Sequence, residues 1–347
     1  GTLLVTGCGN EATTGGSDTV VGADTTAAVD DGKVYSLKFS IHNAAGSLED
    51  RIWGAWATRV AEATNGRVKI DVYPGAILGK PTDGMNMVKS GICDIIWTYT
   101  GFFPGEFDCY DVMSLPFMGW KTGADTVPIV HELLATNASV QKEFADVKVL
   151  SLYAGPGSII GSHKPIESVD DLKNLKIRTA GALVTKLFTE YGAAPVAMPP
   201  TDIYEALEKN VVDAYIFDAS GVESYKLEEP VDYILDIRMF AAPMMILMNK
   251  GKWDQLPADL QEAITKLAGP EMANAALEEL DALVAGQAQR FRDKGKTVTV
   301  PTAEALAGFA PVADKIKIEW AEGLDARGLD GTELYNATLG LVEKHIK

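Results

Sequence analysis

Apolar and polar residues alternate from Tyr35 to Ile41, with Tyr35, Leu37, Phe39 and Ile41 on one side and Ser36, Lys38 and Ser40 on the other. A period of two predicts a strand. Ser47 follows, with Asp50 three residues on, so a capping box opens a helix that carries Ile52, Trp53, Trp56 and Val60 on one stripe. Asn65-Gly66 ends it. Val68, Ile70 and Val72 predict a second strand, and Asp94 to Thr98 a third between Gly91 and Gly101. Strand, helix, strand, helix, strand describes a parallel sheet with helices on its faces.

The pattern is most informative between Gly155 and Ser224. Val149 to Tyr153 predicts a strand, and Gly155-Pro156-Gly157 breaks it. Leu175 and Ile177 then alternate with Lys176 and Arg178, the signature of a half-exposed strand. Gly181 stops that strand, and Leu183, Leu187 and Tyr191 recur at helical spacing. Arg178 thus stands near the carboxyl end of a strand just before a helix, the edge where ligands bind in open α/β sheets. A guanidinium there holds five donors in a fixed fork and keeps its charge, which suits a carboxylate. From residue chemistry alone, an Arg on a solvated face or in a structural ion pair fits equally well.

Downstream, Pro230 to Met239 leads to Ala241-Ala242-Pro243 and the apolar Met244 to Met248, which returns the chain to the first sheet. Pro257 to Leu267 and Pro270 to Lys294 predict helices, the second with Ala276, Leu280, Leu283 and Val284 on its stripe. Thr297 to Val300 predicts a last strand, and two helices follow.

At 347 residues and 47% hydrophobic, the chain can bury cores for two domains. Its net charge of −17, from 31 basic and 48 acidic residues, argues against nucleic acid or an anionic membrane surface as a partner. An anionic ligand must be captured against that mean field, which calls for a dedicated local cation. No apolar run is long enough to span a bilayer. The four His (His42, His131, His163 and His345) form no H-E-x-x-H, and neither a G-x-S-x-G elbow nor a Walker A loop occurs. Cys93 and Cys109 lack metal-ligand spacing, so no metal or cofactor is expected. Whether those two pair or stay buried thiols is open.

Three ordered blocks give a more specific signal. Pro104, Gly105, Phe107, Val112, Ser114, Leu115, Pro116 and Phe117 form the first. Pro165, Ile166, Ser168, Asp171, Leu172, Lys173, Leu175, Lys176, Ile177 and Arg178 form the second, and Tyr204, Glu205, Ala206, Leu207, Val211, Val212 and Asp213 the third. Together they resemble the solute-binding proteins of TRAP (tripartite ATP-independent periplasmic) transporters, over roughly Tyr35 to the C-terminus. The resemblance implies an α/β, two-lobed periplasmic-binding-protein fold (type II-like), with a ligand cleft between lobes and a long bridging helix. It assigns 33–155 plus 244–285 to the first lobe and 156–243 plus 286–347 to the second. It gives Arg178 the role of the family's carboxylate-binding Arg.

Other site candidates follow from position and from that resemblance. Trp97, Tyr99 and Phe102 lie at or just past the end of the third strand, where each is a core residue or a cleft wall and at least one is expected to line the pocket; His42 and Asn43, after the first strand, face the same edge. Members that bind sialic acid carry a second Arg twenty residues before the first; here that position is Ser158, which favours a ligand with one strong anionic group. The family's polar Asn after the V-V-D block falls at Phe217 or Asp218, an apolar wall in one register and a partner for a hydroxyl or amine in the other.

Leu3-Leu4-Val5-Thr6-Gly7-Cys8 resembles the end of a lipoprotein signal, so 1–8 reads as a truncated signal with a lipid-accepting Cys8. Residues 9–32, rich in Gly, Thr, Ala and Asp, read as a flexible tether. The expectation is an extracytoplasmic, lipid-anchored binding protein that takes a small organic acid to TRAP membrane subunits without transforming it. The ligand expected is a monocarboxylate with an apolar or aromatic body. A ligand-presenting sensory protein is the alternative, and an enzyme using His42 with Asp218 a more distant one.

Overall fold

The computed structural model describes residues 32–346; Cys8 and nearly all of the expected tether lie outside them. The described strands are β1 (Tyr35–Ser40), β2 (Val68–Tyr73), β3 (Ile95–Tyr99), β4 (Val147–Ala154), β5 (Ser158–Ser162), β6 (Lys176–Thr179), β7 (Ala194–Ala197), β8 (Ala214–Asp218), β9 (Tyr233–Leu235), β10 (Pro243–Asn249) and β11 (Thr297–Thr299). They build two sheets in the orders β2-β1-β3-β10-β4 and β11-β9-β5-β8-β6-β7. The architecture is the two-lobed α/β fold that the sequence leads one to expect, one sheet per lobe.

Neither sheet is purely parallel. In the first, β1 pairs parallel with β2 and β3, but β10 runs antiparallel to both β3 and β4. In the second, β5 runs antiparallel to β8 and β9, and the other pairs are parallel. Each reversed strand is the first one laid down after the chain changes lobes. Residues 155–157 carry it from β4 to β5, and residues 236–242 carry it from β9 back to β10. A connection that short enters the next sheet without a helical crossover, which a parallel strand would require. The two crossings are also bonded to each other: the Gly155 amide donates to the Ala242 carbonyl (2.9 Å) and the Ser158 amide to that of Phe240 (2.9 Å).

Both sheets are covered on both faces. Ile96, Leu152 and Met245 face one core of the first lobe, while Ile95, Trp97 and Met244 face the other. Ile160, Ile177 and Ile216 face one core of the second lobe, and Ile159, Tyr215 and Ile234 the other. Burial on two faces explains the unbroken apolar run Met244–Met248. The first helix, Leu48–Ala63, starts as its capping residues require, with Ser47 Oγ accepting from the Asp50 amide, and buries Ile52, Trp53, Trp56 and Val60.

The helix expected over Pro270 to Lys294 is two helices, Gly269–Ala285 and Gln287–Asp293, parted at Gly286. The first spans the lobes: Ala276, Leu277 and Leu280 pack into the first, and Val284 against the second. The last helix, Gly331–His345, packs on the first lobe, whereas the sequence assigns 286–347 to the second. Its Leu334 is fully buried with Leu133 and Leu324, because that lobe offers an apolar face the stripe can cover. Cys93 and Cys109 are buried free thiols, both pushed up to about 12 chiefly by burial.

Candidate ligand-binding cleft

The two sequence blocks around Arg178 act first as scaffolding for its strand. Ser168 and Asp171 form a capping box before β6, and Ile166 and Leu172 are core residues. The Asp213 carboxylate accepts from the Lys176 amide (3.2 Å), while the Asp213 amide donates to the Lys176 carbonyl (2.7 Å). This reciprocal pair locks the start of β6 against the start of β8. Arg178 and Tyr215 are thereby set side by side.

Arg178 is only 2% exposed, not on a half-solvated face. The alternation around it is real, but backbone carbonyls and a ring of the same lobe surround the side chain. Nε and Nη2 donate to the Met198 carbonyl (3.0 and 2.8 Å), Nη1 donates to the Ile216 carbonyl (3.4 Å), and Cζ lies 5.0 Å above the Phe217 ring. Three of the five N–H donors are therefore engaged with protein, and one remains on each Nη. Among the described residues no acidic side chain pairs with this guanidinium. Burial lowers it to about 10, so it stays charged at neutral pH. A buried, unpaired cation with two free donors is a ready seat for a carboxylate.

That seat opens on a cavity between the lobes with about 80 Å³ of room for the centres of water-sized spheres. One water needs roughly 10–15 Å³ by such a measure, so the space suits several waters or one small solute. His42, Asn43, Trp97, Tyr99, Phe102, Phe217 and Asp218 line it with Arg178. His42 stacks on Trp97 (centroids 4.5 Å apart) and meets Phe102 edge-on at 5.6 Å. Burial lowers His42 to about 4, so its ring is neutral. Trp97 Nε1 donates to Tyr153 Oη (2.8 Å) and Tyr99 Oη to the Ala180 carbonyl across the cleft (3.4 Å). Other aromatics of the 98–119 loop, including Phe103, Phe107 and Tyr110, belong to the core.

Ser158 does not line the cavity. It is buried in β5 opposite Asp218, and its hydroxyl accepts from the Phe240 amide (3.4 Å), a role in the crossing. Both registers proposed for the end of the V-V-D block reach the cleft. Phe217 supplies a ring, packed edge-on to Tyr225 at 5.8 Å. Asp218 Oδ1 caps the helix Ala219–Ser224 through the Ser220 amide (3.0 Å), while Oδ2 is buried without a hydrogen-bond partner among the described residues. Burial, with the Glu49 charge adding, raises Asp218 to about 7. No hydrogen bond joins His42 to Asp218 among the described residues, and no cluster of His, Cys, Asp or Glu there is arranged to hold a metal.

Sequence reasoning missed several lining groups. Glu49, in the first turn of the helix Leu48–Ala63, is 1% exposed and accepts from Ser224 Oγ (2.8 Å) across the lobes. Tyr225 Oη donates to Asn43 Oδ1 (2.8 Å), a third bond across the cleft. Ile216, Phe240, Met244 and Leu280 supply apolar wall. Glu49 reads locally as an ordinary first-turn acid, and the Met198 carbonyl carries no side-chain signal at all.

Comparison with known proteins bears on this cleft. The family described as bacterial extracellular solute-binding protein, family 7 (DctP), matches residues 39–322. The outer membrane transporter protein TsaT of Comamonas testosteroni is 26% identical over 282 residues, covering 80% of this chain and 82% of that one. A TRAP solute-binding protein from Rhodoferax ferrireducens T118, solved with copurified benzoate, is 29% identical with a TM-score of 0.86, covering 90% of this chain and 98% of that one. A marine metagenome TRAP solute-binding protein specific for aromatic acid ligands, solved with 3-hydroxybenzoate, is 27% identical with a TM-score of 0.86, covering 91% and 100%.

Proposed function

The chain belongs to bacterial extracellular solute-binding protein family 7, and from that membership and the cleft geometry we propose that it captures an aromatic monocarboxylate for TRAP membrane subunits. The observation that carries this reading is the buried Arg178 guanidinium, with two free donors and no acidic partner among the described residues, facing a cavity walled by aromatic rings. The ligand carboxylate accepts from the two Nη groups, and its ring packs among Trp97, Tyr99, Phe102 and Phe217. The benzoate and 3-hydroxybenzoate bound by the two similar structures support the same ligand class.

Magnitudes divide the work. A charge-assisted contact is worth about 1.5–3 kcal/mol, against about 8 kcal/mol for micromolar binding. A ring of Phe size buries about 150–250 Å², which at about 25 cal/mol/Å² contributes about 4–6 kcal/mol. Arg178 fixes orientation, and apolar burial supplies the larger share. No step of bond making or breaking is assigned: the neutral His42 is engaged in stacking, and the one carboxylate oxygen of Asp218 that is satisfied caps a helix. No helix among the described residues is long and apolar enough to cross a membrane; in this reading Cys8 carries the lipid that holds the protein at the surface.

The reading is tested by a thermal-shift screen of aromatic acids, keto acids, hydroxy acids and dicarboxylates on the parent chain and on Arg178→Met. Aromatic monocarboxylates should raise the melting temperature of the parent and leave the variant, checked for folding by circular dichroism, unchanged. Stabilisation by dicarboxylates alone, or full binding by the folded variant, overturns it.

A further inference from the structure

The cavity is electrically lopsided. Among its lining residues Arg178 is the lone cation, while Glu49 and Asp218 are two carboxyls, and His42 is neutral. Neither carboxyl can swing away. Glu49 is 1% exposed and held by Ser224. Asp218 is held through Oδ1 by the Ser220 amide and hydroxyl. Its Oδ2 rests against Gly155, where a Cβ would come within 2.3 Å. The helix Ala219–Ser224 links the two acids: Asp218 caps its start and Ser224 grips Glu49 at its end.

We infer that Glu49 and Asp218 set the charge selectivity of the cleft, admitting an acid whose far end is neutral and rejecting one that carries a second carboxylate. The inference rests on Arg178 holding the first carboxylate. Once that group is seated, a cavity this small leaves a distal substituent within reach of the acidic pair. A second carboxylate then finds no cation, loses its water and meets like charge in a low-dielectric space, where repulsion is poorly screened. A hydroxyl of similar size has no such conflict.

The experiment is calorimetric titration at pH 8 with matched pairs: 3-hydroxybenzoate against isophthalate, and 4-hydroxybutyrate against succinate. The readout is the affinity ratio within a pair, in the parent chain, Asp218→Asn and Glu49→Gln. The parent should favour the hydroxy acid of any pair that binds by at least about a hundredfold, and each variant should shrink that ratio by about tenfold, because an amide of the same shape removes the charge and can donate to a carboxylate. Equal binding within a pair in the parent, or a parent ratio that neither variant changes, overturns the inference while leaving the role of Arg178 intact. If no member of any pair binds the parent, the Arg178 reading falls and this one with it.

Discussion

Two nitrogens of Arg178, Nε and Nη2, converge on the single carbonyl oxygen of Met198 at 3.0 and 2.8 Å. This clamp fixes the plane of the guanidinium and so the direction of its remaining donors. A lysine offers one rotating point charge in place of that fork. Arg178→Lys should therefore weaken binding of the monocarboxylate by about 10- to 100-fold, the equivalent of one charge-assisted contact, measured by calorimetry.

Gly181 joins the end of β6 to the helix that follows, at φ +85°, and a Cβ there would lie 3.1 Å from Tyr99 Oη and 3.3 Å from Gly101 Cα in the other lobe. Gly181→Ala forces a positive-φ extended backbone, open essentially only to glycine, on an L-residue and crowds the closed cleft. The expected loss is about 1–3 kcal/mol of stability, read by denaturant unfolding, together with weaker ligand binding. Unchanged values for both would show that the lobes do not meet at this point.

The Tyr225–Asn43 bond ties the lobes beside the cavity, and Asn43 is buried. Tyr225→Phe leaves the Asn43 oxygen without that donor, at a cost of about 1–3 kcal/mol in the closed state. Ligand release, followed by stopped-flow displacement, should speed up by about tenfold or more, with association little altered. A release rate equal to the parent's would remove this bond from the account of closure.

Binding should depend on pH through Asp218. Burial first, and the Glu49 charge second, raise it to about 7. A bound anion adds another negative charge to the same cavity and raises it further, so binding takes up a proton near neutrality. Affinity for a monocarboxylate should therefore fall as pH rises from 6 to 8, where Arg178 stays charged. The folded chain follows the same sign: a carboxyl raised above its unfolded value of 3.8 makes folding less favourable as pH climbs from about 4 to about 7. Asp218→Asn should flatten the binding slope in calorimetry at several pH values; a slope that survives assigns the proton elsewhere.

Leu334 anchors the last helix in the first lobe with no exposed surface. Leu334→Ala should lower stability by about 2–5 kcal/mol, transfer and cavity terms together. Hydrogen exchange should localise the loss to the helix Gly331–His345 and its neighbour Thr126–Thr136. Protection unchanged there would mean the helix is held by other contacts.

What the sequence by itself determined is local. The β1 alternation, the Ser47 cap, the stop at Asn65-Gly66, the strand-then-Gly181 step after Arg178 and the three ordered blocks each lie within a few residues, where periodicity and capping are encoded directly. The resemblance carried by those blocks implied the two-lobed α/β class and put Phe217 or Asp218 at the cleft, while position after the first and third strands put His42, Asn43, Trp97, Tyr99 and Phe102 there. The tertiary structure decided which surface covers which. Arg178 alternates like a half-exposed residue, yet the Met198 and Ile216 carbonyls and the Phe217 ring, twenty or more residues away in sequence, bury it; β10 and β5 run reversed because the crossings are short; Ser158 turns to the Phe240 amide instead of the cavity; and Glu49 enters the cleft only because helix Ala219–Ser224 of the other lobe reaches it. Exposure is set by groups distant in sequence, and a chain read a few residues at a time carries no record of them.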